Sequence, residues 1–178
     1  MTEFKNQECY DKNGKFIGWH SRSIAAVMAT FARDIRGNVY VLASQRGKGT
    51  PDPEFVGAWN LCCGYLDGGE TIKNAAIRET KEETGIQVPE NVVRLMNFND
   101  DPEADKRQNV TFRFVAFLPN FVDGYKFSHE NNEKDEVDEI KWIPINDIAN
   151  YKWAFGHDVL IGEMWEYMKK CMIYEHWT

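Results

Sequence analysis

The chain has 178 residues, of which 43% are hydrophobic and 28% are charged. These values are typical of one globular domain with a sizeable core, and they exclude a disordered, collagen-like or coiled-coil chain. Acidic residues outnumber Lys and Arg by 28 to 21, which gives a net charge of −7 and argues against a long nucleic acid as a partner. No apolar run approaches the roughly 20 residues of a membrane span, and the polar N-terminus has no signal core. We therefore expect a cytoplasmic protein, with no membrane partner and with reduced cysteines.

The secondary structure predicted along the chain alternates strands with few helices. A turn signal over Asp11–Lys15 predicts an N-terminal hairpin. Turn residues and hydrophobic periodicity predict strands over 23–31, 39–44, 59–63, 92–98, 110–118 and 139–143, and helices over 71–84, 146–151 and 157–174. This order indicates a mixed α/β domain.

The helix over 71–84 has clear signals at both ends. Thr71 is a good N-cap because its hydroxyl can accept a hydrogen bond from a free backbone N–H of the first turn. Asn74 stands where a capping box would have Glu, so the box is weakened. Gly85 is suited to the left-handed residue that ends a helix.

Three glutamates of this helix crowd together. On a helical wheel, Glu79 and Glu83 continue the apolar face that Ile72 begins, and Glu82 lies on the flank. Two unit charges about 4 Å apart repel by roughly 4 kcal/mol at an effective dielectric of 20. The cluster therefore needs protonation, cationic partners or a metal ion, although a run of this kind can also be an ordinary solvated face. Hard oxygen ligands favour Mg²⁺ or Mn²⁺.

The residues before the helix add to this pattern. A glycine-rich turn over 64–69 can bring backbone groups close to a metal ion or a phosphate. Glu70 lies eight residues before Arg78, about two helical turns, and can hold Arg78 so that it orients Glu79.

The segment Gly64–Ile86 resembles the Nudix box, G-x5-E-x7-R-E-U-x-E-E-x-G-U, in which U is a bulky aliphatic residue. The fixed positions are matched by Gly64, Glu70, Arg78, Glu79, Glu82, Glu83, Gly85 and Ile86. Thr80 replaces one aliphatic residue, for which we expect a small packing cost. The resemblance implies a Nudix-type α/β/α sandwich around a mixed β-sheet. It predicts a single domain over 1–178, with a core over 22–174 and an N-terminal hairpin extension over 1–21.

The resemblance also implies a function, the hydrolysis of a nucleoside diphosphate linked to another group, with divalent ions bound. By the family pattern, Glu82 and Glu83 are metal ligands, and Glu79 is a ligand or the general base. The carbonyl of Cys63 is a further metal ligand. Arg78 orients Glu79, with Glu70 in support. An additional base or ligand is expected in the loop before the last strand, where Glu130, Glu133, Asp135 and Glu136 are candidates and Glu136 is preferred.

The substrate is less well defined by the sequence. Arg46 follows a strand at a position where many family members keep a basic residue near the phosphates, and it can equally be a surface residue. Trp59 and Tyr65 can stack a base, although Trp59 can also serve packing. The loop over 101–107 partly resembles a loop of ADP-ribose pyrophosphatases, which favours nucleotide sugars over nucleoside triphosphates.

Three alternatives remain. The first is a nucleoside triphosphate pyrophosphohydrolase. The second is a non-catalytic Nudix sensor, although the box is intact here. The third is an isopentenyl-diphosphate isomerase, which residues 10–20 and 59–64 resemble; that enzyme needs a catalytic cysteine and several histidines, and only His20 lies nearby. A homodimer is a further expectation by analogy with the family.

Overall fold

The computed structural model describes residues 6–102, 109–128 and 135–175, and it has a large mixed sheet between two helices. Short 3-10 turns occupy some of the connections. The strands and helices, in chain order, are β1 (Gln7–Tyr10), β2 (Phe16–His20), β3 (Ile24–Arg33), β4 (Val39–Arg46), β5 (Trp59–Asn60), β6 (Cys62–Tyr65), α1 (Ile72–Thr84), β7 (Val93–Asn99), β8 (Val110–Phe121), β9 (Val137–Pro144) and α2 (His157–Glu175).

In the described part of the chain, seven strands form the main sheet. Five of them follow the order β5-β4-β3-β8-β7, while β6 also pairs with β3 and β9 also pairs with β4. The pair β3–β8 is parallel, and the other strand pairs are antiparallel. The hairpin β1–β2 forms a separate two-stranded sheet.

Each face of the sheet packs against one helix. Ala75 and Ala76 of α1 lie in a buried cluster with Met28 and Leu42. On the opposite face, α2 contributes Ile161, Met164 and Met168 to a second cluster with Val27 and Phe31 of β3. Because successive residues of a strand point to opposite faces, β3 supplies both cores. This arrangement is the predicted α/β/α sandwich. No helix in the described ranges is long and apolar enough to cross a membrane.

Two element predictions are corrected. The single strand predicted over 59–63 is broken at Leu61 into β5 and β6, which pair with β4 and β3 respectively. The break is stabilised because the backbone N–H of Leu61 donates to Nδ1 of His157 at 3.0 Å, a side chain from a distant part of the chain. The helix predicted over 146–151 is a 3-10 helix over Ile145–Asn150 that begins directly after Pro144.

Candidate active site

Helix α1 is fixed at both ends by the predicted residues. Thr71 Oγ1 accepts a hydrogen bond from the Asn74 backbone N–H at 3.2 Å. At the other end, Gly85 has φ 76°, and its N–H donates to the Lys81 carbonyl at 2.7 Å. Thr80, the departure from the family pattern, is fully buried, but its hydroxyl donates to the Ala76 carbonyl at 2.9 Å. The added polar group is therefore satisfied within the helix.

The three glutamates differ in burial as their positions on the helix predict. Glu83 is 8% exposed as a whole residue. The side chain of Glu79 is 16% exposed, and that of Glu82 is 40% exposed. A charged face turned to solvent would show similar exposure for all three. The helix therefore directs Glu79 and Glu83 inward and leaves Glu82 at the rim.

Glu83 is held by neutral donors from the sheet. Its Oε1 accepts from the Cys63 backbone N–H at 2.9 Å, and its Oε2 accepts from the Ser44 hydroxyl at 2.5 Å. Ser44 Oγ also lies 3.2 Å from Oδ1 of Asn60, its partner in the β4–β5 register. Burial raises the pKa of Glu83 to about 8, although both hydrogen bonds act in the opposite direction.

Ser44 and Asn60 are functional candidates that the sequence reasoning missed. Both are buried polar residues. The sequence feature that could have identified them is a polar residue in each of two otherwise apolar predicted strands. A buried polar side chain needs a partner, so such positions mark places where a second element supplies one.

Arg78 connects the other carboxylates. Its Nη1 donates to Glu79 Oε1 at 2.6 Å and to Glu82 Oε2 at 2.9 Å. Its Nη2 donates to Glu70 Oε1 at 2.8 Å and to the Tyr65 carbonyl at 2.9 Å. These contacts raise the pKa of Arg78, the bond to Glu70 contributing most, and the same bond lowers the pKa of Glu70. The structure thus joins Glu70, Arg78 and Glu79 as the spacing suggested.

Glu79 lies against the backbone of Gly64. A Cβ atom added at Gly64 would come within 2.2 Å of the Glu79 carboxylate, so a larger residue would displace that carboxylate. Burial raises the pKa of Glu79, opposed mainly by Arg78. Gly64 therefore permits the close approach between β6 and α1.

The donor set suits a hard divalent cation in its chemistry, because it consists of carboxylate oxygens with a strand carbonyl nearby. Among the described residues, the donors to the buried Glu83 are all neutral, which leaves its charge to be balanced when the group ionises. In the present arrangement, Nη1 of Arg78 lies between the carboxylates of Glu79 and Glu82 and acts as their cation. Within the described residues, no three acidic, His or Cys side chains already surround one common point.

The three candidate substrate residues are placed differently from one another. Arg46 is buried, and its Nη2 contacts Asp52 Oδ2 at 3.0 Å and the Thr50 hydroxyl. Its Nε has no hydrogen-bond partner within the part of the chain that the structure describes. Trp59 is also buried, with its ring against Tyr151 and beneath the Lys141 ammonium, which favours a packing role. Tyr65 is exposed.

Glu136 lies next to the end of β4, close enough to α1 for its charge to act on Glu79 and Glu83. Gly47 N–H, directly after β4, donates to the Glu136 carbonyl at 2.7 Å. Asp135 has φ 61°, and a Cβ at Gly47 would come within 2.3 Å of the Asp135 carbonyl. The charge of Glu136 contributes to the raised pKa of both Glu79 and Glu83. Glu130 and Glu133, and residues 103–107 of the substrate loop, lie outside the described residues.

His157 and Cys63 complete the surroundings of the site. His157, at the start of α2, is buried, and burial lowers its pKa to about 3. It is therefore neutral and able to accept the Leu61 N–H through Nδ1, and this bond positions the chain just before Cys63. Burial raises the pKa of the Cys63 thiol to about 12, so the thiol is protonated at neutral pH.

The chain is a three-layer α/β/α domain in which the acidic helix α1 packs against Gly64 of β6. A model of the NUDIX domain matches residues 22–163. The chain therefore belongs to the Nudix family.

Individual relatives share parts of the chain. It is 31% identical over 109 residues to an ADP-ribose pyrophosphatase of Methanocaldococcus jannaschii, covering 61% of this chain and 58% of that protein. It is also 31% identical over 101 residues to an isopentenyl-diphosphate Delta-isomerase of Cutibacterium acnes, covering 53% and 49%. The matches thus span less than two thirds of these relatives. The NUDIX domain of Shewanella oneidensis NrtR, solved with ADP ribose, superposes with a TM-score of 0.69 at 21% identity, covering 89% of this chain and 94% of that domain.

Proposed function

We propose that this protein is a divalent-metal-dependent hydrolase that cleaves the pyrophosphate link of a nucleoside diphosphate joined to another group. ADP-ribose and other nucleotide sugars are the favoured substrates. The observation that carries this proposal is the buried Glu83 carboxylate, held by the Cys63 N–H and the Ser44 hydroxyl next to Glu79. A buried carboxylate with neutral donors gains a counter-charge when a cation binds beside it.

The residues take the following roles in this proposal. Glu79, Glu82 and Glu83, with the Cys63 carbonyl, hold Mg²⁺ or Mn²⁺. A bound divalent ion supplies an activated water and a Lewis acid for the phosphoryl oxygens. Glu79 or Glu136 accepts the proton of the attacking water, because both carboxylates lie in the same acidic cluster.

Arg78 moves between two tasks in this scheme. Without a bound cation, Arg78 neutralises Glu79 and Glu82. With a cation bound, Arg78 keeps its hydrogen bonds to Glu70 and the Tyr65 carbonyl, and these bonds fix the orientation of the neighbouring Glu79. Glu82, the most exposed of the three carboxylates, is free to turn away from Arg78. Gly64 keeps the space that Glu79 needs.

The choice of substrate rests on separate support. Similarity to an ADP-ribose pyrophosphatase favours a nucleotide sugar. Arg46 is a positive group two residues after Ser44 at the end of β4, and among the described residues its buried Nε has no hydrogen-bond partner, which leaves a donor for a phosphate oxygen. Tyr65 contributes an exposed ring at the glycine turn, and Trp59 supports the site by packing. Hydrolysis of nucleoside triphosphates is the alternative within the same chemistry.

The isomerase and the non-catalytic sensor make different demands on the site. An isomerase would require a reactive thiol at Cys63, whereas the raised pKa of this group keeps it protonated. A non-catalytic sensor would bind a nucleotide without turnover, and the intact carboxylate set argues against it.

The test is a turnover assay with the purified protein and Mg²⁺ or Mn²⁺. The panel contains ADP-ribose, NADH, nucleoside triphosphates, dinucleoside polyphosphates and isopentenyl diphosphate. Hydrolysis of a nucleoside diphosphate derivative should fall on the order of 10²–10⁴-fold in Glu82→Gln and Glu83→Gln, with folding retained. Wild-type activity in both variants, or turnover of isopentenyl diphosphate alone, would contradict the proposal.

We also propose that the protein is a homodimer in the cytoplasm. The hairpin β1–β2 exposes Tyr10, Phe16, Ile17 and Trp19, and a face of this kind supports a homodimer through a second copy of the chain. The test is the molar mass in solution. We expect the wild type to be a dimer and Trp19→Ser to be a monomer. The four free cysteines agree with a reducing, cytoplasmic location.

A further inference from the structure

Leu61 lies between two strand ladders and, within the described residues, belongs to neither of them. β5 ends at Asn60, which pairs with Ser44, and β6 begins at Cys62, which pairs with Met28. Leu61 is fully buried, so its backbone N–H and its carbonyl both need hydrogen-bond partners from outside the ladders.

Two side chains provide the partners of Leu61. Its N–H donates to Nδ1 of His157 at 3.0 Å, and its carbonyl accepts from Nδ2 of Asn60 at 2.8 Å. His157 is 5% exposed and lies 96 residues away along the chain. A buried N–H group that loses its acceptor costs free energy, so the position of Leu61 depends on this imidazole.

The imidazole takes the place of a backbone carbonyl. Just before Leu61, Trp59 forms a parallel bridge with Trp153, and the Ala154 N–H donates to the Trp59 carbonyl at 2.8 Å. A regular parallel ladder would continue from the Leu61 N–H to the Ala154 carbonyl. That carbonyl instead accepts the backbone N–H of His157 at 3.0 Å, and Nδ1 of the same residue accepts the Leu61 N–H. The first side chain of α2 therefore supplies the acceptor that the backbone does not.

Leu61 precedes by two residues a part of the backbone that the proposed site uses twice. The Cys63 N–H donates to Glu83 Oε1 at 2.9 Å, and the Cys63 carbonyl is a proposed metal ligand. Because peptide units are planar and nearly rigid, a displacement at Leu61 is carried along the short segment to Cys63. Loss of the bond from His157 would therefore reach the metal site through Leu61.

We propose that His157 is a positioning residue that sets the affinity of the site for its divalent cation by fixing Leu61 and, through it, Cys63. This inference rests on the proposed function for the identity of the cation, and it adds a residue from the helix on the opposite face of the sheet. Residues that orient a metal ligand typically change metal affinity by roughly 10–100-fold. The site requires the hydrogen-bond acceptor of His157, and the bulk of the ring is secondary.

The experiment compares three substitutions that differ in the acceptor. His157→Asn keeps an oxygen at the place of Nδ1, His157→Gln carries it one bond further out, and His157→Leu has the shape of the Asn variant without an acceptor. Binding of Mn²⁺ without nucleotide is measured by electron paramagnetic resonance, which distinguishes the free ion from the bound ion. Met168→Ala is the control for lost packing, because Met168 is buried on α2, about 16 Å further along the helix.

We expect His157→Leu to weaken Mn²⁺ binding about tenfold or more, and His157→Asn to retain most of the wild-type affinity. His157→Gln should lie between them. Met168→Ala should lower the melting temperature and leave the Mn²⁺ affinity unchanged, which separates a loss of metal affinity from a loss of stability. If His157→Leu does not fold, the other two variants decide, because His157→Gln should bind Mn²⁺ several-fold more weakly than His157→Asn.

The two proposals fail in different ways. Equal Mn²⁺ affinity in the wild type and all folded His157 variants, or an Asn variant weakened as much as the Leu or Gln variant, would overturn the inference while the hydrolase stands. A wild type that binds Mn²⁺ but turns over no nucleotide would contradict the hydrolase, and the variants would still decide the inference. A wild type that binds no Mn²⁺ would contradict both.

Discussion

The buried Glu83 should make the metal-free protein less stable as the pH rises from about 6.5 to about 8. Its pKa is about 8 in the folded protein, against an ordinary value of 4.5. Between these values the folded state keeps a proton that the unfolded state has released. Raising the pH therefore favours unfolding, by up to about 1.4 kcal/mol per pH unit. Glu79, whose pKa is also raised, acts with the same sign.

His157 changes the pH window in which this effect is visible. Its pKa is about 3 in the folded protein, against an ordinary value of 6.5. Between these values the unfolded state binds a proton that the folded state lacks, so His157 adds stability as the pH rises. The two groups largely cancel between pH 4.5 and 6.5. Above pH 6.5 only Glu83 of these two groups contributes, and the free energy of unfolding falls by about 2 kcal/mol at most by pH 8.

The assay is urea unfolding in the presence of a chelator from pH 6 to pH 8.5, with Glu83→Gln as the control. In Glu83→Gln the free energy of unfolding should decline much less with pH, because the amide does not titrate. In the wild type, the apparent affinity for Mg²⁺ should rise up to about tenfold per pH unit over the same window, because binding requires the ionised carboxylate. An equal decline in the wild type and the variant, or a Mg²⁺ affinity independent of pH, would refute the reasoning.

Two substitutions in β6 give further predictions. Gly64→Ala places a Cβ 2.2 Å from the Glu79 carboxylate, which is the flexible end of its side chain. We expect activity to fall by about tenfold or more with little change in melting temperature; unchanged activity would show that the position of Glu79 is unimportant. Cys63→Ser should keep much of the hydrolase activity, because the backbone carbonyl is used and the thiol is not. Loss of an isopentenyl diphosphate activity in that variant would favour the isomerase.

The parts of the site that the sequence predicted are local. The caps at Thr71 and Gly85, the inward direction of Glu83 and the link between Glu70 and Arg78 all follow from helical spacing within one segment. Residues a few positions apart on a helix have nearly fixed relative positions, so their contacts can be read from periodicity.

The parts that could not be predicted depend on distant residues. Ser44 lies 39 residues from Glu83, and His157 lies 96 residues from Leu61. The break between β5 and β6 exists because a side chain from the start of α2 accepts the Leu61 N–H, which periodicity within residues 59–63 does not reveal. The packing of Trp59 is likewise set by Tyr151 and Lys141, two residues far along the chain.

The most direct test of the proposed hydrolase is single-turnover hydrolysis of ADP-ribose with Mg²⁺ in ¹⁸O-labelled water, read by mass spectrometry. Direct attack of water on the pyrophosphate link needs no covalent enzyme intermediate. We expect adenosine monophosphate and ribose 5-phosphate as products, with one labelled oxygen on one of the two phosphates. Products without label in either phosphate would contradict direct attack by water, and ADP-ribose left intact would contradict the proposed substrate.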